Sequence, residues 1–329
     1  MKILITGAAG FIGYHLANYL LKNKSNTLIL VDNLQRGKMD EDFSTLLRND
    51  RVKFIQADLT IQTFFSTLDK DIDQVYHLAA VNGTKLFYEI PQEVLRINTL
   101  SLIYVLEWIR GLEKKPKFCF TSSNEAYAGA LSAFNQLPIP TPENVPLIVN
   151  NTYNPRWSYG GSKLIGELFI IHYAQAYNFQ ALIVRPHNFY GPRAGYDHVI
   201  PEFSQKILNK INPFPLFSPE ETRTFCYIDD AVEAMQLLMD SEKTNSHPIE
   251  TVHIGDTREI IMLDLAKMMF SITNWTPEKL DIKPSQAGSV KRRLADINKI
   301  QKLVRWQPKT TLENGLSKTF AWYKNHPKK

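Results

Sequence analysis

Tyr159 and Lys163, four residues apart in Tyr-Gly-Gly-Ser-Lys, could together run proton-transfer chemistry. On a helix, side chains at i and i+4 share a face. An ammonium beside a phenol favours the phenolate, pulling a pKa of about 10 toward a working range. Such a tyrosine can take and return the proton of a substrate hydroxyl while hydride moves between that carbon and a nicotinamide. The pair alone is a weak signal, because the same spacing is common on helix surfaces. It gains weight from Thr121-Ser122-Ser123-Asn124-Glu125-Ala126-Tyr127, which ends a β-rich run. That position puts hydroxyls, an amide and a carboxylate at the carboxyl edge of a sheet, where open α/β folds bind ligands.

Hydride transfer needs a carrier. Gly7-Ala8-Ala9-Gly10-Phe11-Ile12-Gly13 lies between the first β-rich run and the first helical pattern. Glycines there permit a tight turn, a close approach of backbone to a pyrophosphate and close helix–sheet packing. The helix start at Phe11, Ile12 and Gly13 then offers free N–H groups and a partial positive charge to phosphate. Asp32, with Asn33 beside it, closes the second strand about 20 residues on. Asp32 is placed to accept hydrogen bonds from adenosine ribose hydroxyls and to repel a 2′-phosphate, which favours NAD. Arg36 lies close enough in sequence to blur the exclusion of NADP.

The elements that must position these residues are legible as alternating patterns. Continuous apolar runs at Lys2–Thr6, Thr27–Asp32, Val52–Gln56, 74–78, 117–122 and 181–185 suit parallel strands buried on both faces. Helical periods lie between them, as in Ile12, Leu16, Tyr19 and Leu20. The alternation predicts an α/β fold with a doubly wound parallel sheet and right-handed crossovers. After Arg185 prolines break the chain into short elements, so a smaller lobe is expected, with 251–254 as one more strand and helices at 263–270 and 297–304. The expected division is residues 1–185 as the dinucleotide-binding unit, with 223–258 returning to it, and 186–222 with 259–329 as the second lobe.

Composition narrows the class. The 329 residues are 44% hydrophobic and 22% charged, ordinary for a globular enzyme. No apolar run approaches the roughly 18 residues of a membrane span, and the N-terminus reads as an immediate strand, not a signal peptide. Cys119 and Cys226 are far apart in apolar surroundings, which suits reduced thiols and a cytoplasmic setting. No Cys or His cluster has metal-ligand spacing. The formal charge of +5 is scattered except in the tail. No basic stripe with interleaved aromatics suggests nucleic acid.

The spacing G-x-x-G-x-x-G, together with Ser123, Tyr159 and Lys163, resembles the extended short-chain dehydrogenases, specifically the branch of NAD-dependent nucleotide-sugar epimerases and dehydratases. The similarity runs over nearly the whole chain. It implies a Rossmann-type sheet, NAD as cofactor and a nucleotide-diphosphate sugar as substrate. It also implies a Ser–Tyr–Lys trio of Ser123, Tyr159 and Lys163, with Ser122 the neighbour that could be confused with Ser123. Asp58 and Leu59 would sit near the adenine, and Leu78, Ala79 and Ala80 would line the cofactor channel. Asn98 would lie on the active-site helix, and Pro186 and His187 would face the nicotinamide. His77 reads instead as a core histidine. On the substrate side the resemblance assigns Asn188 to the diphosphate, Arg223 to the nucleotide and Arg292 to the pyrophosphate; guanidinium forks suit phosphate oxygens. A homodimer pairing segments 93–110 and 159–177 is implied as well.

Members of this branch oxidise the sugar, usually at C4, and then diverge. Dehydratases use an Asp–Glu pair after the Ser/Thr; here the Asp position is Asn124, which cannot act as an acid, while Glu125 matches the Glu. Decarboxylases use a Glu and an added arginine on a hexuronate, and Glu125 with Arg293 beside Arg292 keeps that outcome open. The sequence ranks 4-epimerase first, 4-dehydrogenase or decarboxylase next, and 4,6-dehydratase last. A non-catalytic NAD-binding regulator would have no need of the intact Ser123–Tyr159–Lys163 set.

Overall fold

The structure is a computed structural model that describes residues 1–134, 137–245, 248–284 and 291–327. Lys328 and Lys329 of the basic tail lie outside them. Six strands alternate with helices through the first half: β1 (Lys2–Thr6), α1 (Phe11–Leu20), β2 (Thr27–Asp32), α2 (Glu41–Leu46), β3 (Val52–Gln56) and β4 (Gln74–His77). They continue through α3 (Thr84–Glu89), α4 (Pro91–Gly111), β5 (Lys117–Thr121), α5 (Glu125–Phe134), α6 (Trp157–Tyr177) and β6 (Ala181–Pro186). With Ile249–Ile254 these strands form one seven-stranded parallel sheet, in the order Ile249–Ile254, β6, β5, β4, β1, β2, β3. This is a doubly wound Rossmann-type fold, and the added edge strand begins two residues earlier than the sequence pattern indicates. Strands β4 and β5 end one residue early, yet pairing continues: Leu78 N–H donates to the Thr6 carbonyl and Ser122 N–H to the Val184 carbonyl.

Side-chain alternation divides the core between the two faces of the sheet. Ile3, Ile5, Leu28 and Leu30 pack with Leu16, Ala17 and Leu20 of α1 and with Ala231, Met235 and Leu238 of the helix Ile228–Asp240. Leu4, Val31, Val75, Phe118, Phe120 and Ile183 face the other way, against Leu102, Val105 and Ile109 of α4 and Ile170 and Ala174 of α6. Beyond the sheet, the helices Val199–Leu208, Met262–Thr273 and Leu312–Asn325 and the parallel pair Phe214–Phe217 with Leu280–Lys283 continue the same core. The strand order reverses between β1 and β4, so their carboxyl ends open a crevice. A Cβ on Gly7 would stand 2.7 Å from the Ala79 nitrogen, showing how closely the two loops beside that crevice approach.

Candidate functional site

The glycine turn is shaped for a phosphate. Gly7 has φ +69°, a left-handed conformation that glycine adopts freely. A Cβ on Gly13 would lie 2.4 Å from the Gly7 carbonyl oxygen and 2.7 Å from the Ala8 Cα, so only glycine lets α1 start there. At Gly10 the same test meets only the Gly7 oxygen, at 3.1 Å, and otherwise open space. Gly10 caps α1 without a side chain, leaving the first N–H groups of the helix facing that space. Asp32 stands at the end of β2, its carboxylate accepting from Ala9 N–H at 3.0 Å and Leu34 N–H at 2.8 Å. Burial raises its pKa, and those two hydrogen bonds pull it back. Two acceptor oxygens on a buried strand end fit a ribose diol, so the residues present fit a dinucleotide. Asn33 turns back on Gln35 N–H, and Asp58 on Thr60. Leu59 is buried in the core beside the crevice.

Gly13→Ala follows directly. The added methyl must push the turn apart, so NAD affinity should fall at least ~10-fold, with a loss of about 1–3 kcal/mol in stability. Calorimetric titration with NAD and a urea melt would read both; unchanged NAD affinity would contradict the packing argument.

Leu78, Ala79 and Ala80 continue β4 into the crevice, and Asn98 holds that loop in place. The Asn98 carboxamide accepts from Val81 N–H at 2.7 Å and donates to the Val81 carbonyl at 3.2 Å and to Ser162 Oγ at 3.1 Å. Asn98 therefore ties the channel loop to α6, and its polar atoms are directed at protein. His77 is a core histidine, as its surroundings suggested. It is buried between Phe118 and Phe120, bonded through Nδ1 to Thr6 Oγ1, and burial drops its pKa to about 3.

Tyr159 and Lys163 sit in the first two turns of α6 and face the end of β5. Lys163 Nζ donates to the Thr121 carbonyl at 2.7 Å and lies 5.6 Å from the Tyr159 ring centroid and 4.7 Å from that of Phe120. Phe87 stacks on Tyr159 with centroids 4.8 Å apart, walling one side. Burial pushes the Tyr159 phenol up to about 12, while the nearby Ser123 hydroxyl pulls it down. Ser123 Oγ also accepts from Glu125 N–H at 3.1 Å, which caps α5 and fixes the hydroxyl at the strand end. Burial lowers the Lys163 ammonium to about 7, against the opposing pull of Glu167. The folded chain thus releases this proton near pH 7 while the unfolded chain keeps it to about 10.4. Between those pH values the unfolded state binds more protons, so stability rises with pH there. Lys163→Met should flatten that rise in denaturant melts at pH 7 and pH 9; an unchanged slope would refute the assignment.

Glu125, in the first turn of α5, is the most strongly held carboxylate of the site. Arg293 Nη1 reaches one oxygen at 2.6 Å and Arg156 Nη2 the other at 3.2 Å. Burial alone would raise its pKa, but Arg293 and then Arg156 outweigh that and hold it at about 2. Arg156 was not singled out in the sequence, although it stands three residues before Tyr159 and so near the same helical face.

Three sequence assignments need correction. Ser122 does not face the crevice: its hydroxyl donates to Glu167, which is forked by Arg185 at 2.9 and 2.7 Å beneath the sheet edge. Arg292 does not face it either. Its guanidinium forks Glu259 at the surface at 2.8 and 2.6 Å, and Arg293 points inward instead. Successive side chains of an extended segment face opposite ways, and Arg292 is bridged to Thr222 in such a segment. His187 lies buried under the loop, bonded through Nε2 to the Tyr127 hydroxyl at 2.9 Å, while Pro186 ends β6 above it.

Asn188 and Arg223 come together in a cavity of about 290 Å³ lined also by Phe217, Phe225, His198 and Ile200. Asn188 Nδ2 donates to the Thr224 carbonyl at 2.8 Å, and Arg223 is braced by Glu221 at 2.6 Å. Asn124 lines a smaller cavity of about 20 Å³ with Tyr127, Thr141 and Arg293, room for one water.

The fold and site define a class: an NAD-dependent short-chain dehydrogenase of the extended, nucleotide-sugar type. Residues 4–319 match the family model described as GDP-mannose 4,6 dehydratase, and the chain belongs to that family. A putative UDP-glucose 4-epimerase of Methanocaldococcus jannaschii is 30% identical over 98% of this chain and 99% of its own length. A UDP-N-acetyl-alpha-D-glucosaminuronate decarboxylase of Bacillus cytotoxicus is also 30% identical, over 98% of each. Among solved structures, the UDP-glucuronic acid 4-epimerase of Bacillus cereus, in complex with UDP-glucuronic acid and NAD, has a TM-score of 0.86. It is 28% identical, covering 99% of this chain and all of the other. The chain is an NAD-dependent enzyme of nucleotide-sugar chemistry, working by oxidation at C4.

Proposed function

We propose that this enzyme oxidises C4 of a UDP-activated hexuronate and then removes the C6 carboxylate as carbon dioxide. The carrying observation is the partly buried cluster of Glu125, Arg293 and Arg156 where α5 and α6 begin: two cations around one anion, net positive where a uronate carboxylate would lie. Uridine diphosphate is inferred from the relatives named above, and its place from the cavity holding Asn188, Arg223 and Phe217. Tyr159 takes the C4 hydroxyl proton, with Ser123 hydrogen-bonding the same oxygen and Lys163 Nζ 5.6 Å from the phenol ring, favouring the phenolate whenever it carries its proton. The Gly7–Gly13 turn and Asp32 would hold NAD, which would supply the hydride acceptor. The 4-ketone makes the C6 carboxylate a β-keto acid. The C5–C6 bond then breaks, its electron pair passes into the ketone as an enolate, and C5 is protonated. Return of hydride to C4, or release of the ketone with NADH, ends the cycle.

Simple 4-epimerisation, which the sequence ranks first, shares every step to the ketone. It is favoured by one observation: Arg293 is already engaged by Glu125, the arrangement expected if that pair only orders the loop. Asn124 supplies no acid for dehydration. The two outcomes separate in one experiment, incubation with UDP-glucuronate followed by product mass and NADH absorbance. Loss of carbon dioxide supports decarboxylation; an unchanged mass supports epimerisation and overturns our reading.

The two-part division of the chain is retained in this proposal. It is supported by the return of Ile249–Ile254 to β6 and of the helix Ile228–Asp240 to α1. A homodimer through α4 and α6 is supported by Leu95, Ile165 and Leu168, which these helices leave exposed.

A further inference from the structure

The loop after Asp32 carries a cation without a hydrogen bond or ion pair among the described residues, Arg36. It does not turn back to the ribose end of the site; the arginine that acts on Asp32 is Arg193. Arg36 reaches across the mouth of the crevice instead. A Cβ built on Gly83 would stand 3.5 Å from Arg36 Nη2 and 3.6 Å from an Asp197 carboxylate oxygen. Gly83 has φ +128° and no side chain, so the guanidinium lies directly over the loop that follows β4. Its charge is felt at Tyr159, where it opposes the effect of burial.

The two ends of the cofactor cleft are thus Asp32 and Tyr159, with the Gly7–Gly13 turn between them. A dinucleotide with its adenosine ribose at Asp32 and its nicotinamide at Tyr159 must carry its diphosphate over the start of α1. The α1 N–H groups cover one side of that group. Arg36 Nη2 stands beside the loops of Gly83 and Gly195, 3.5 and 4.0 Å from Cβ positions built there.

We propose that Arg36 closes on the cofactor diphosphate and retains the dinucleotide in the cleft. A guanidinium presents a planar fork of donors to phosphate oxygens, and charge-assisted bonds of this kind are about twice as strong as neutral ones. The same geometry removes the ambiguity about cofactor choice. Arg36 is turned from the ribose, so it offers nothing to a 2′-phosphate, and Asp32 repels one.

Calorimetric titration of the intact chain with NAD, ADP and adenosine tests this, using Arg36→Ala, Arg36→Lys and Asp197→Asn, with circular dichroism to confirm folding. Arg36→Ala should weaken NAD and ADP by about 10-fold or more and leave adenosine unchanged. Arg36→Lys, which keeps the charge without the fork and carries the test if the alanine variant fails to fold, should fall between. Asp197→Asn should bind NAD like the parent chain. NAD affinity of Arg36→Ala within about twofold of the parent would overturn the proposal, as would an equal loss for adenosine. Reproduction of the loss by Asp197→Asn would overturn it too, making the two residues a latch between the lobes. Failure of the parent chain to bind NAD would sink the cofactor assignment itself, a result distinct from an effect confined to the variants.

Discussion

Tyr159→Phe should lower the rate of C4 oxidation by about 10²–10⁴-fold, the range expected when a positioned proton-transfer group is removed. The ring remains, so its stacking on Phe87 and the packing around it should survive. Affinity for NAD should be little changed, because the hydroxyl is lost and the glycine turn is untouched. The loss should appear in kcat and kcat/KM together, since the proton moves only as the C4–H bond breaks. Single-turnover measurement of NADH with UDP-glucuronate, alongside NAD titration, separates these quantities. Full turnover by Tyr159→Phe would end the mechanism proposed here, for epimerisation and decarboxylation alike.

The second large effect is on stability. Glu167 and Arg185 form a two-pronged ion pair with 3% and 5% of their side chains exposed, so neither charge has water to fall back on. Arg185→Leu would leave the carboxylate buried and unpaired at a cost of about 3–5 kcal/mol. Ser122 would remain its hydroxyl donor, which is too little to compensate. Replacing both partners, Glu167→Met with Arg185→Leu, should recover most of the loss, because the penalty comes from the orphaned charge. Urea melts of the three chains read this directly. A single variant as stable as the parent would show that the pair carries no such penalty. The pair also joins β6 to α6, the helix of Tyr159 and Lys163, so the single variant should lose activity at temperatures where the parent is still folded.

Local chemistry was the legible part. Gly7, Gly10, Gly13 and Asp32 announce their site because a phosphate-binding turn constrains backbone conformation and spacing within one strand–turn–helix unit. Tyr159 and Lys163 are likewise neighbours on one helix. The parallel sheet followed from the alternation of apolar runs with helical periods. Where sequence reading erred, the error was one of direction. Ser122 and Ser123 have the same chemistry, as do Arg292 and Arg293, and adjacent residues of extended backbone face opposite sides. Which member faces the crevice depends on register with other elements, set by contacts such as the pairing of β5 with β6 and the bridge from Thr222 to Arg292.

The sequence by itself determined the doubly wound sheet, the strand–glycine turn–helix unit and the shared helical face of Tyr159 and Lys163, because each is encoded by neighbouring residues or by one repeating pattern. Only the tertiary structure decided that Glu125 is gripped by Arg293, 168 positions away in the chain, and by Arg156. Likewise only the fold turned Arg36 across the crevice and Asn98 onto the channel loop. Those arrangements arise where loops from distant parts of the chain meet at the carboxyl edge of the sheet, and their distances depend on how those loops pack.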